Sequence, residues 1–286
     1  MPPKALYDLP APAKLNLFLH VTGRRRDGYH LLQSVFILID WADTLHLERR
    51  DDGLLRRHDL GPALPTDDLS LRAARALQRA SGCTYGADIS VLKQVPWGAG
   101  MGGGSSDAAT VLLALNRLWG LDWPRARLLE LATPLGADVP FFVGGSNAFV
   151  EGIGDELTPI DWAPRRYAVV KPREAVETAG IFSHPGLARA TEPATLAGSV
   201  AELNSQHGFG HNDLQPVAQA LCPSIDQVAK WLEGRYGNSR MTGSGSAVFA
   251  AVDADGVSWS QGELPDDWTG RMCRSLPHHP LRAWAD

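Results

Sequence analysis

Five of the seven residues from Gly98 to Gly104 are glycine, and Ser105, Ser106 and Asp107 follow directly. A plain turn between a strand and a helix needs one or two glycines, and each further one costs conformational entropy with no local return. A run this dense lets backbone N–H groups converge on an anion. A helix opening at Ser105–Asp107 would add the positive end of its dipole. The chemistry that fits is phosphate binding, with the two serine hydroxyls either capping the helix or reaching the phosphate. The spacing is not a Walker A loop: Gly98 and Gly103 have the right gap, but Gly104 stands where that loop requires lysine. "GAGMGG" does match the dinucleotide pattern G-x-G-x-x-G, and Asp122 lies about twenty residues further on. That acid falls in "GLDWPRAR", between two helical patterns, so no second strand carries it.

Other residue pairs could do chemistry beside such a loop. Lys14 and Asn16 sit two apart in the alternating stretch "KLNLFLHV". A strand there points Leu15, Leu17, Leu19 and Val21 one way and Lys14, Asn16, Phe18 and His20 the other. The polar face is either a solvated edge or the lining of a cleft. Only five lysines (4, 14, 93, 171 and 230) stand against 22 arginines. That hints that these sites need a compact ammonium rather than a planar fork. Asp138, among apolar residues in "PLGADVPFFV", either caps a turn begun by Pro140 or serves as a partly desolvated general base. Burial alone would leave it protonated, and a nearby ammonium would restore the charge, so Lys14 and Asp138 make more sense together than apart. Tyr29 and His30 in "DGYH" are hairpin residues at the end of a small core or aromatic and polar contacts for a ligand. "TGSGS" (Thr242 to Ser246) is a second glycine turn, of the kind that also simply opens strands.

The elements that must position these residues are legible in outline. "GRRRDGY" is a turn whose arginines read as a solvated tip. "HLLQSVFILIDWADTLHLER" reads as two strands around a bend at Asp40–Asp43. "DLSLRAARALQRASG" has helical spacing, with Asp68 or Ser70 as cap and Gly82 as stop. "ADISVLKQV" is a strand that runs into the glycine loop. Ala108, Val111, Leu112, Leu115 and Leu118 form a helical stripe after it, and Pro124 opens a second helix. Beyond Gly154 come "RYAVVKP" as a strand, "SIDQVAKWLEG" as an amphipathic helix and "RMTGSGSAVFAAVD" as a turn entering a strand. Mixed strands and helices without regular alternation predict an α+β fold, with a boundary near residue 155.

Composition excludes several classes. The 27 basic and 32 acidic residues give a net charge of −5, which is no footprint for nucleic acid or an anionic membrane. Cys83, Cys222 and Cys273 are scattered, with no metal-ligand spacing, as expected of reduced thiols in a cytoplasm. No apolar run approaches the roughly 20 residues that span a bilayer. Thirteen residues precede Lys14, leaving little room for a transit peptide. Nothing in the sequence sets an oligomeric state.

"PWGAGMGGGSSDAA" resembles the central motif of the GHMP kinases, small-molecule kinases whose glycine loop cradles the phosphates of ATP. "PAPAKLNLFLHVTGRRRDGYHLLQSVF", "LGADVPFFVGGSNAFVEGIGDEL" and "RMTGSGSAVFA" are similar, in the same order and over nearly the whole chain, to blocks of one branch. Its members act on 4-diphosphocytidyl-2-C-methyl-D-erythritol. The resemblance implies a two-lobed GHMP fold, residues 1–155 and 156–286, with the active site in the cleft between the lobes. It implies ATP and Mg²⁺, with transfer to the 2-hydroxyl of that substrate in non-mevalonate isoprenoid precursor biosynthesis. Carried over by position, Lys14 and Asp138 are catalytic. Pro96, Trp97, Gly98, Ala99, Gly100, Met101, Gly102, Gly103, Gly104, Ser105 and Ser106 hold the nucleotide. Asn16, Tyr29, His30, Thr178 and Phe182 meet the substrate, with Tyr29 and Phe182 on either side of the cytosine and His30 hydrogen-bonded to it. Several members have Thr and Ala where Ser244 and Ser246 stand here. Lys93, Asn212 and Asp213 fall in matching blocks without an assigned role. No metal ligand is implied beyond Ser106 as a candidate by position.

Overall fold

The computed structural model describes residues 2–203, 210–253, 259 and 262–286. The first half of the chain forms β1 (Ala5–Arg24), β2 (His30–Arg50), β3 (Leu55–Asp59), α1 (Leu69–Ser81), β4 (Gly86–Leu92), α2 (Gly103–Leu118), α3 (Arg125–Ala132), α4 (Val139–Gly144) and β5 (Ala148–Glu151). There follow β6 (Glu156–Pro159), β7 (Arg166–Lys171), α5 (Thr178–Ser183), α6 (Leu196–Leu203), α7 (Gln215–Leu221), α8 (Pro223–Tyr236), β8 (Arg240–Met241), β9 (Val248–Val252) and β10 (Thr269–Leu276). Local signals account for several boundaries. Asp68 caps α1 by accepting from Leu71 N at 3.1 Å, and Gly82 ends it in the left-handed region at φ 65°. Pro124 precedes the first turn of α3, as expected.

The strands run in the order β3-β4-β2-β10-β7-β9-β8, all antiparallel neighbours except β3 and β4, with β1 against β2 and β6 beyond β5. The frame is the hairpin of β1 and β2. One edge of β2 is covered by β1. The other receives β5 at 34–36, β10 at 38–39 and β4 at 44–50 in succession. β10 therefore carries the sheet into the second half of the chain. The last residues also return to the first half: Arg125 N donates to Ala285 O at 2.7 Å, and its guanidinium pairs with Asp286.

Apolar side chains gather in three buried clusters, and β1 threads all of them. Leu9 and Ala11 join the cluster around α1, α2 and β4. Ala13, Leu15, Leu17 and Phe18 join a middle cluster, and Leu19 and Val21 join that of β7–β9 and α8. The simple two-residue alternation expected here does not hold. The register shifts between Asn16 and Leu19, which sends Phe18 to the same cluster as Leu15 and Leu17. Both faces of the strand are covered, so Lys14, Asn16, Phe18 and His20 are all buried.

The expected bend at Asp40–Asp43 is also different. β2 is one strand, with the register against β1 slipping between Pro12 and Lys14. The acids mark a bulge whose carboxylates bind backbone elsewhere. Asp40 accepts from Arg274 N at 2.9 Å, and the buried Asp43 accepts from Gln94 N at 2.6 Å and Val95 N at 2.8 Å.

Asn147 seals the gap where β5 and β10 leave β2. Its Oδ1 accepts from Leu38 N at 2.8 Å and its Nδ2 donates to Leu276 O at 2.9 Å, with the residue almost fully buried. Asn147→Ala leaves both backbone groups without a partner in a place water does not reach. We expect a loss of about 2–6 kcal/mol in urea unfolding, two unmet groups at about 1–3 kcal/mol each.

Candidate active site

Lys14 lies at the middle of β1, 3% exposed, so its ammonium is stripped of nearly all water. Nζ donates to Asn16 Oδ1 at 2.5 Å, lies 3.6 Å from Asp138 Oδ2, and sits 4.5 Å from the centre of the Phe36 ring. Burial pushes the Lys14 ammonium below the ordinary lysine range, and the Asp138 carboxylate works against that shift. Asn16 cannot turn away, because its Nδ2 donates to Ser34 Oγ at 3.0 Å and its Oδ1 also receives Thr242 Oγ1 at 3.3 Å. Asp138 occupies the N-cap position of α4 but makes no capping hydrogen bond. The bland role is therefore not the one its carboxylate plays. That carboxylate is about 29% exposed where the Lys14 side chain is 4% exposed, so it faces the solvent side of the pair.

The two glycine turns pack on each other through their backbones. A Cβ on Gly100 would lie 2.3 Å from Thr242 O, and one on Gly243 would lie 2.7 Å from Gly100 O. Ser246 N donates to Gly98 O at 2.9 Å and Ala247 N to Ala99 O at 3.2 Å. On its other side the loop is fixed to β1, where Lys14 N donates to Met101 O at 3.0 Å. A Cβ on Gly102 would press on the Phe142 ring at 3.0 Å, whereas Gly104 has room for one. Gly102 is the N-cap of α2 and offers no side chain, and neither serine caps the helix. The first-turn N–H groups are left for a ligand, as an anion site requires. Ser105 lines the cavity over Lys14 and Asp138; the Ser106 hydroxyl is buried and has no hydrogen-bond partner among the described residues.

Beneath the loop Lys93 joins two buried acids, Asp43 and, at 2.6 Å, Asp107. Lys93 is held above the ordinary lysine range: burial opposes its charge, and the two carboxylates outweigh it. Asp43 also receives two backbone N–H groups, so it is the acid whose charge is best satisfied. Burial pushes the Asp107 carboxyl up to about 8 against the pull of Lys93, and Asp43 beside it adds to the rise.

A cavity of about 870 Å³ opens over Lys14 and Asp138 and collects most of the expected residues. Asn16, Gly100, Gly102 and Ser105 line it, as do Tyr29, His30, Thr178 and Phe182. Tyr29 sits on the hairpin tip between β1 and β2 and is 61% exposed. The His30 and Phe182 rings are 5.0 Å apart and tilted by 32°. Thr178 Oγ1 and Ser244 Oγ share a hydrogen bond of 2.7 Å, which ties α5 to the second glycine turn. Not every expected residue reaches this cavity. Pro96 and Trp97 line a separate one with Lys171 and Arg173, and the Ala99 and Met101 side chains point into the middle core. Thr242, Phe36 and Ser34 were not singled out from sequence. Thr242 alone had a signal, its place in the second glycine turn.

The description "GHMP kinases N terminal domain" matches residues 68–146, and "GHMP kinases C terminal" matches residues 192–258. The chain belongs to the GHMP kinase family. Within that family it is 64% identical over 286 residues to the 4-diphosphocytidyl-2-C-methyl-D-erythritol kinase of Methylibium petroleiphilum, covering 99% of both chains. It is 56% identical to the protein of that name from Variovorax paradoxus, again over 99% of both. A crystal structure of 4-(cytidine 5'-diphospho)-2C-methyl-D-erythritol kinase matches with a TM-score of 0.75 at 35% identity, covering 86% of this chain and 90% of that one. A homoserine kinase from Cytophaga hutchinsonii shares the fold at 18% identity, with a TM-score of 0.69 over 97% of this chain and 96% of its own. The α+β, two-lobed GHMP architecture is thus the fold of this chain.

The buried triad of this GHMP kinase makes stability depend on pH. Asp107 titrates near 8 in the folded protein and near 4 in the unfolded chain. Between those values the folded form binds the extra proton, so this group's contribution is complete below about pH 4 and is lost as pH rises toward 8. Asp107→Asn keeps the shape and removes the titration. In urea unfolding, the stability of Asp107→Asn relative to wild type is expected to rise from pH 5.5 to pH 8. A difference that does not change with pH would show that Asp107 is ionised throughout.

Proposed function

We propose that this chain transfers the γ-phosphoryl group of ATP to the 2-hydroxyl of 4-diphosphocytidyl-2-C-methyl-D-erythritol, in non-mevalonate isoprenoid precursor biosynthesis. The observation that carries this reading is the position of the Lys14–Asp138 pair in one cavity, between an uncapped glycine turn and an aromatic pocket. The names of relatives that match over the full chain support the substrate. Residues 1–155 supply the glycine loop, Lys14 and Asp138, and residues 156–286 supply α5 and the second glycine turn.

Asp138 takes the proton of the attacking hydroxyl. It is the more exposed member of the pair, so a substrate oxygen can reach it. Lys14 keeps it ionised and offsets negative charge as the phosphoryl group moves. Asn16 holds the ammonium in place. The loop from Pro96 to Ser106 binds the nucleotide phosphates through backbone N–H groups and the Ser105 hydroxyl. Tyr29 and Phe182 flank the cytosine, with His30 and Thr178 toward its polar edge. Phosphoryl transfer is largely a matter of positioning and charge stabilisation, which is what this set of groups provides.

Mg²⁺ would lower the charge of the nucleotide phosphates. Among the described residues no group of three or more His, Cys, Asp and Glu side chains could hold a metal ion, and the Ser106 hydroxyl lies outside the cavity. Phosphate oxygens and water would be its main ligands, the usual manner of a hard, reluctantly dehydrated cation.

The test is ADP release in a coupled assay with magnesium ATP, with and without 4-diphosphocytidyl-2-C-methyl-D-erythritol. Release that depends on this acceptor is expected. Silence from folded protein that binds ATP would overturn the acceptor and leave the nucleotide site. In the same assay Asp138→Asn should lower kcat by about 10²–10⁴-fold, the usual worth of a general base, with Tm near wild type. Turnover close to wild type would remove the base role from Asp138.

A further inference from the structure

Arg189 belongs to none of the motifs above, yet it holds both walls of the aromatic end together. Its Nε donates to His30 Nε2 at 3.2 Å. Its Nη2 donates to Phe182 O at 3.1 Å and to His184 O at 2.8 Å, and its Nη1 donates to Leu187 O at 3.1 Å. A guanidinium has donors only. The imidazole nitrogen facing it must therefore be an unprotonated acceptor, which excludes both the Nε2–H tautomer and the imidazolium. Burial and the positive charges of Arg189 and Arg24 also hold His30 below the usual histidine range, in keeping with a neutral ring. The ring's single N–H is then at Nδ1, and no described residue accepts from it.

We propose that Arg189 is a positioning residue that fixes His30 as an Nδ1–H donor, so that the cavity selects a pyrimidine with an acceptor at ring N3, cytosine, over uracil. The inference rests on the cytidine reading above and adds the residue that sets its specificity. Cytosine and uracil have nearly the same shape and stack equally well, so Tyr29 and Phe182 alone cannot tell them apart. They differ in polarity at N3 and C4. Cytosine N3 is a bare acceptor; uracil N3 carries a hydrogen. A fixed N–H donor meets the first and opposes the second. A histidine free to change tautomer would accept from uracil as readily as it donates to cytosine, and the selection would vanish. Arg189 removes that freedom, while its bonds to the Phe182 and His184 carbonyls keep α5 and the histidine in register.

Two measurements on the full chain decide the matter. The first is ¹⁵N NMR of histidine-labelled protein, which reads the tautomer of His30 directly. Wild type is expected to show a pyridine-type Nε2 and a pyrrole-type Nδ1 at neutral pH, and Arg189→Met to shift toward the Nε2–H form favoured in water. The second is calorimetric titration with CDP and UDP as probes. CDP should bind wild type about 10–100-fold more tightly than UDP, the consequence of a donor left facing a donor, and Arg189→Met should lose most of that preference. An Nε2–H ring in wild type overturns the proposal without any variant. So does a folded Arg189→Met that retains both the tautomer and the preference. Wild type that binds neither CDP nor UDP overturns the cytidine reading itself, while the histidine spectrum still decides whether Arg189 sets the tautomer.

Discussion

A lysine ammonium without water is the feature around which the rest of this molecule is arranged. Taking a charge out of water costs several kcal/mol unless partners replace the solvent. Lys14 has three, and each comes from a different place: Asn16 from its own strand, Phe36 from β2 and Asp138 from the start of α4. Its backbone N–H is committed as well, to Met101 in the glycine loop. Any shift of one of these elements leaves the charge unmet, so the pairing constrains strand, loop and helix together. The long β1–β2 hairpin exists in the form it does partly because it must carry Lys14 to the centre of the protein, where both of its faces are covered.

The glycines answer two demands at once. Gly100 and Gly243 are glycine because the two turns cross at backbone contact, and no side chain fits between them. Gly104 has room for a side chain, so local packing does not explain it. Protein contact thus accounts for most of the run, and on the reading proposed above an open face for the nucleotide phosphates accounts for Gly104. The same contact has a functional result. It sets the second turn, with Thr242, against Asn16, whose N–H donates to Thr242 Oγ1 at 2.9 Å. Lys14 is thereby held, through Asn16, by a residue more than two hundred positions away in the chain.

The sequence displayed those parts of the structure that depend on local chemistry. The cap at Asp68, the stop at Gly82 and the strand leading into the glycine loop follow from short-range preferences, and each is present. The bulges in β1 and β2 were not visible, because they arise from what packs on a strand rather than from the strand itself. Alternation in "KLNLFLHV" promised one apolar face. Two covered faces and a register shift at Phe18 are what the tertiary structure made of it. Asp40 and Asp43 looked like turn formers because acids often are, and only the distant backbone they bind shows otherwise. At the site, Lys14, Asp138 and the glycine loop stood out by type and spacing. Arg189 could not, since one arginine among 22 has no pattern to mark it.

On the reading proposed above, the two ends of the cavity are built from different materials because they meet different parts of the ligands. A phosphate needs N–H dipoles that do not reorganise, so its end is backbone locked by backbone: the crossed turns, Met101 held to Lys14 and the uncapped start of α2. A base needs a flat apolar face and one edge of defined polarity, which only side chains supply. That end is made of a half-open hairpin tip and a six-residue helix, α5, held together by Thr178 on Ser244 and Arg189 on His30. Rigidity at the first end comes with the fold. At the second it is added by a few hydrogen bonds, which on the same reading places the control of specificity in residues that the core does not depend on.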